Sequence, residues 1–470
     1  MKRGWSRSDE AAVVADPPGR MNVLRLSLPI AHFDVPPQVV AISRWLPGVL
    51  LAVWVLTLPL EFTKLYFPNQ NIELSRIVLA LCLVTFGAQI VIEHREVRVP
   101  ASASMIGLAL FTAYAAVSAL ANGSSLGTKT VIAMVAYLLM MLTVFNWTHT
   151  FAAHLRIWSA LAVSAVTISL VGLVLRVTNS YIWNPPSFGV LRVNATFHDP
   201  NIFARFLAIS ILAMVVLAAD QDVTVRQRAL WVAGALAAAM TLPFTYSRAG
   251  WGFALVVALV VIAVVRRRTR ALALVVLVLA VFAVVAIIDP SVLSRANQLV
   301  GNLQSPLTNR TFHDRAPWLA FLNVLPLDSV RHYLIGSGLI MFSDHPIFGI
   351  GFGEFSKSLL GPYAGLIPSG VDDTASHTSV ITILAETGLV GLALVLVAGF
   401  SFIRSTVRAT FQSRAARALV LAPAIALLMI VLDSQLTGRL FEEPYLWLFL
   451  GLAYSAQAGL DHRNRSTPTP

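Results

Sequence analysis

His377 opens the stretch "SHTSVITILAETGLVGLALVL" (376–396), at the lip of an apolar run that then encloses a carboxylate, Glu386. An imidazole in that place is mostly neutral at working pH and can accept a proton from a hydroxyl arriving from water. A lone histidine at a helix start is more often a cap or a structural hydrogen bonder. Three arginines change its context: Arg192 before "NATFHDPN", Arg248 in the turn "TYSRAG" (245–250), and Arg331 before "HYLIGSGLIMFSDHPIFGIGFGEF". Guanidinium presents a rigid donor fork that matches phosphate oxygens and never loses its charge. Such groups beside a proton acceptor suit transfer to a hydroxyl from a lipid diphosphate, because the cations hold the headgroup and stabilise the charge that departs. Singly, each arginine reads equally well as a snorkelling side chain or the partner of a loop carboxylate. Glu386 follows His377 close to the same helical face but roughly 13 Å further along, so direct contact is not expected. A buried carboxylate there serves an arginine or a helix N-terminus.

What must hold these residues is a membrane bundle. The 470-residue chain is 57% hydrophobic and 12% charged, with a mean hydropathy of +0.75, whereas soluble domains carry about 25% charged residues. The net charge of +11 could suggest nucleic acid only if the basic residues shared an exposed face. They are instead dispersed between apolar runs, so they are read as topology signals, and no nucleic-acid partner is expected. With Cys82 as its single cysteine, the chain has no internal disulfide and no cysteine metal site.

Apolar segments long enough to cross a hydrocarbon core of about 30 Å fall near 46–63, 74–93, 101–121, 128–147, 156–175, 201–219, 228–246, 249–265, 271–289, 378–403, 417–436 and 443–460. The expected fold is an all-α polytopic integral membrane protein of about 12 transmembrane helices, since lipid leaves an unpaired backbone amide no partner. Of the 34 Lys and Arg residues, 21 fall on the side of the N-terminus, which places both termini in the cytoplasm. The first helix begins too late for a cleaved signal peptide and is expected to remain as an anchor. Residues 1–45 read as a basic, largely disordered cytoplasmic tail, 46–289 as helices one to nine, 378–460 as the last three, and 461–470 as a second cytoplasmic tail. One large outer loop, 290–377, lies between them without strong helical periodicity. Loops of that length tend to be functional.

Other chemistries find little support. No H-E-x-x-H, clustered metal ligands or Walker loop appears, so neither a metal nor another cofactor is expected. "GIGFG" (349–353) is read as a tight turn beside Pro346 and not as a nucleotide loop. A transporter or flippase, the leading alternative from another class, would show repeat symmetry and broken helices with polar groups at the midplane. A scaffold of an export complex would leave the outer arginines and His377 dispensable.

The set "RVNATFHDPNIFARFLAIS" (192–210), "TYSRAGWGFALVVALVV" (245–261), "RHYLIGSGLIMFSDHPIFGIGFGEF" (331–355) and "SHTSVITILAETGLVGLALVL" (376–396) resembles the O-antigen ligase and Wzy-type polysaccharide polymerase superfamily, over about 190–400. The resemblance implies a GT-C-type, metal-independent, inverting glycosyltransferase with an undecaprenyl-diphosphate-linked glycan donor. It would work at the outer face of a bacterial inner membrane. In such proteins a histidine shortly before an "E-x-G-x-x-G" helix activates the acceptor hydroxyl, a role that falls on His377. The "S-R-x-G" arginine matches Arg248, and the arginine before "P-x-x-G-x-G" matches Arg331; both would bind the diphosphate. Arg192, upstream of Pro200 and Asn201, would join them, with Glu386 and Asn201 as structural support. The pattern departs at one point: a tryptophan usually follows the loop arginine by four residues, but here Ile335 does, while "R-A-P-W" occurs at Arg315 to Trp318. Arg331 and Arg315 therefore both stand as the loop arginine. Polymerisation of repeat units of a surface polysaccharide is the expected reaction. Ligation to lipid A core or protein O-glycosylation is the alternative, with export or chain-length proteins as further partners.

Overall fold

The computed structural model describes residues 21–27, 35–61, 64–67, 70–182, 191–295, 318–319, 322, 329–366, 376–412, 417–438 and 440–459. Nearly all of this is helix. The membrane-embedded series is α1 (Pro37–Thr57), α2 (Leu74–Glu93), α3 (Ala103–Ala121), α4 (Ser125–Trp147), α5 (Phe151–Val177), α6 (Pro200–Asp220), α7 (Val225–Thr241), α8 (Arg248–Val264) and α9 (Arg268–Ile288). The segment after α9 contributes α10 (Ser329–Asp344) and the short α11 (Phe355–Leu360), followed by α12 (Ser379–Gln412), α13 (Arg417–Thr437) and α14 (Pro444–Ala458). Two small antiparallel pairs accompany them, β1 (Val23–Leu26) with β4 (Val97–Pro100) and β2 (Lys64–Phe67) with β3 (Gln70–Glu73).

The helices start where the sequence supplies caps. The side chains of Ser102, Ser124, Thr150, Asp199, Thr224 and Ser247 each accept a backbone N–H from the first turn that follows, satisfying donors that would otherwise be orphaned. All twelve expected segments are helical. Among the described residues ten helices are long and apolar enough to cross a membrane. α8 and α14, with 17 and 15 residues, rise only roughly 26 and 22 Å. α1 also starts at Pro37, inside the segment read as a tail, because proline at the first helical position suits the helix start. β1 likewise falls within that segment, while residues 1–20 and 28–34, like 460–470, lie outside the described residues. The segment expected to be a large outer loop holds a sixteen-residue helix, α10, which packs through Leu334 and Met341 on Phe355, Leu359 and Ala385.

α6 is the axis of the bundle. Its spanning window is 100% buried, and it packs against α5, α7, α8, α9 and α13. The helix carries one buried charge, Arg205, 1% exposed, which pairs with Asp433 of α13 at 3.4 Å and with Glu443 just before α14. Its Nη1 also donates to Thr437 Oγ1 at 3.3 Å. The triad thus ties α6 to the ends of α13 and α14.

α12 is broken. Gly388 has φ 60° and ψ −158°, far from helical values, and the turn 346–351 fills the gap. The N–H groups of Ile350 and Gly351 donate to the carbonyls of Ala385 and Glu386, while those of Leu389 and Val390 donate to Pro346 and Ile347. Tyr114 Oη donates to Phe348 O at 2.9 Å and Thr387 O at 3.2 Å. Backbone groups freed by the break would be costly in lipid and are satisfied here by another segment. A Cβ on Gly349 would stand 2.3 Å from the Glu386 carbonyl carbon, and one on Gly388 2.4 Å from Ile347 O. The glycines of "GIGFG" are there for close backbone approach.

Candidate functional site

At one end of the bundle, a cavity of about 430 Å³ opens between the N-termini of α6, α10 and α12 and the C-terminal end of α13. His377, Arg331, Asn201 and Glu386 all line it, with His198, Asp199 and Glu442. Its size falls within the range usual for small-molecule sites, about 300–1,000 Å³.

Each side chain is placed by identifiable contacts. His377 precedes α12 by two residues, in a turn where Thr378 N–H donates to Ser376 Oγ at 3.4 Å. That turn lies against Gly438, which ends α13 with φ 75°; a Cβ there would come within 1.9 Å of the Ser376 carbonyl. Arg331 sits in the first turn of α10, and its Nη2 donates to Leu436 O at 3.2 Å. The guanidinium therefore lies at the carbonyl end of α13, where a helix favours cations. Glu386 Oε1 accepts the Phe355 N–H at 3.0 Å. It fastens the start of α11 to α12 and makes no ion pair with an arginine among the described residues. Thr130 Oγ1 donates to Glu442 Oε1 at 3.1 Å.

Arg192 and Arg248 do not line this cavity. Arg192 Nε donates to Thr245 O at 3.0 Å, and its Nη2 donates to Asn201 Oδ1 at 2.9 Å, so Asn201 stands between the cavity and this second group. Arg248 begins α8 directly after the cap Ser247. Arg295 completes the group, because Tyr246 Oη pairs with Ser291 Oγ at 2.5 Å and Tyr246 packs on Val292. Burial pushes the Arg192 guanidinium down from its ordinary value; Asp199 opposes this, while Arg295 and Arg248 add to it. Arg295 is lowered by burial and then by Arg248. Three guanidiniums thus repel one another behind Asn201. The other loop arginine named from the sequence, Arg315, lies outside the described residues.

Sequence reasoning missed Arg295 and the buried Arg205–Asp433–Glu443 group. It also missed the wall formed by His198, Asp199 and Glu442. Among the described residues no group of three His, Cys, Asp or Glu side chains could hold a metal ion.

Replacing Glu386 by leucine is expected to leave the inward Phe355 N–H unsatisfied, at about 1–3 kcal/mol. Glu386→Gln, whose amide oxygen still accepts, should retain most of that. Thermal unfolding in detergent compares the two variants; equal melting temperatures would remove the carboxylate from its fastening role.

The fold and cavity define a multi-pass all-α membrane protein with a polar site at one end of its bundle. Residues 233–396 match the family model described as O-antigen ligase. The matched segment runs from α7 through the broken part of α12 and includes Arg248, Arg331, His377 and Glu386. It supports a glycan-ligating or polymerising function at a membrane, with glycosyltransferase-like activity. No curated protein matches the chain.

Proposed function

We propose that the protein is an inverting glycosyltransferase of the bacterial plasma membrane, with both termini cytoplasmic. It takes a glycan from an undecaprenyl-diphosphate-linked donor at the outer face and joins it to an acceptor hydroxyl. The observation that carries this reading is the shared cavity: His377 and Arg331 line one space within the segment that matches the O-antigen ligase model. His377 takes the acceptor proton as the hydroxyl oxygen bonds to the anomeric carbon. The bond from that carbon to the diphosphate oxygen breaks, and the diphosphate leaves with the electron pair. Arg331 meets the developing charge from within the cavity, and Arg192 and Arg248 extend the positive field behind Asn201.

Polymerisation, in which the acceptor is another lipid-linked repeat unit, is the primary reading. The family description favours ligation to a lipid acceptor as the second. Purified protein given lipid-diphosphate-linked repeat units, with and without a lipid-core acceptor, separates them: a ladder from donor alone marks a polymerase, and product only with added core marks a ligase. In either assay Arg331→Gln is expected to lower kcat/KM by about 10- to 100-fold, the loss of one or two charge-assisted hydrogen bonds to phosphate. Unchanged kcat/KM would remove Arg331 from the donor site.

A further inference from the structure

α12 leads from the candidate site to the opposite end of the bundle. From Ser379 to Ser401 the helix rises roughly 33 Å, about the thickness of a hydrocarbon core. A second cavity, of about 250 Å³, opens there between α12, α14 and the segment that leads into β1. Its floor is a closed polar chain: Ser405 Oγ donates to Gln457 Oε1 at 2.9 Å, Gln457 Nε2 donates to Thr406 Oγ1 at 2.9 Å, and Met21 N–H donates to Gln457 O at 3.4 Å. Arg404, Arg408 and Ser401 stand along its wall, and no carboxylate lines it among the described residues. Both guanidiniums are exposed, and neither makes an ion pair or hydrogen bond with a described residue.

The outer face of the same helix explains what such a cavity would take. Phe400, Ile403, Val407 and Phe411 are all more than half exposed or at half, at 71%, 62%, 50% and 76%. With about 100° between successive residues they form one stripe, with Arg404 and Arg408 beside it and Ser401 and Ser405 beyond. Apolar stripe, paired guanidiniums and polar recess therefore follow one another around α12. A free anion would use only the last two.

We propose that this cavity binds the phosphodiester headgroup of an anionic membrane lipid, with an acyl chain lying along Phe400 and Ile403, on the bilayer side of the guanidiniums. Paired guanidiniums suit the phosphate oxygens, and basic pockets between membrane helices hold anionic headgroups in this way. The site lies at the membrane boundary opposite His377 and is independent of the transfer reaction.

The test is native mass spectrometry of the full chain in neutral detergent, with phosphatidylglycerol or phosphatidylcholine added and inorganic phosphate as competitor. Phosphatidylglycerol should be retained about tenfold more strongly than phosphatidylcholine, and free phosphate should not displace it. The double variant Arg404→Gln/Arg408→Gln should fall to the phosphatidylcholine level. Ser401→Trp, which fills the recess and keeps both charges, should fall with it and decides the matter if the double variant fails to fold. Equal retention by correctly folded variants, or displacement by inorganic phosphate, would overturn the assignment.

Discussion

Replacing His377 by alanine is expected to lower the rate of glycan transfer by about 100- to 10,000-fold, the usual contribution of a positioned general base. The donor's KM should change little, because the groups assigned to the diphosphate are arginines and the imidazole is assigned to the acceptor. The turn that carries His377 is held through Ser376, Thr378 and the close approach of Gly438. Thermal stability should therefore be nearly unchanged. Single-turnover transfer with saturating donor reads the chemical step directly. Full activity in His377→Ala would sink the general-base role and leave the cavity as a binding site only.

The second large effect is on stability. Arg205→Ala is expected to cost about 3–5 kcal/mol, since it removes the cation from two buried carboxylates. Asp433 is 0% and Glu443 7% exposed at the side chain, so neither can recover water where it stands. A charged group stranded in the membrane interior is rare because it is expensive. The triple variant Arg205→Met/Asp433→Leu/Glu443→Leu should regain much of the loss, because it removes the charges together. Thermal unfolding of the purified proteins in one detergent compares them, and an unshifted midpoint in Arg205→Ala would show that the triad does not hold α6, α13 and α14 together.

Hydropathy made the helices legible, because a span must be apolar over its whole length whatever its neighbours are. It was less able to place their ends. Pro36 and Pro37 read as tail chemistry, yet Pro37 begins α1. The site was legible where chemistry was local: His377, Arg331, Asn201 and Glu386 were named from their motifs and share one cavity. Arg192 and Arg248 were named as well, but they adjoin that cavity through Asn201 instead of lining it. Which outer loops meet depends on how α6 and α8 pack, and no local pattern records it. Arg205 illustrates the limit. Inside "NIFARFLAIS" it reads as one charge in an apolar run, while Glu443 lies 238 residues away.

The repair of the α12 break has a consequence for biosynthesis. The turn 346–351 leaves the ribosome before 385–390, so the patch exists before the gap it closes. Until α12 is inserted, the turn's exchange of backbone hydrogen bonds with 385–390 cannot form. Until the turn docks, the backbone around Gly388 enters the bilayer with its polar groups unmet. The turn 346–351 and α12 therefore have to settle together, late in assembly. His377 gains its surroundings only then.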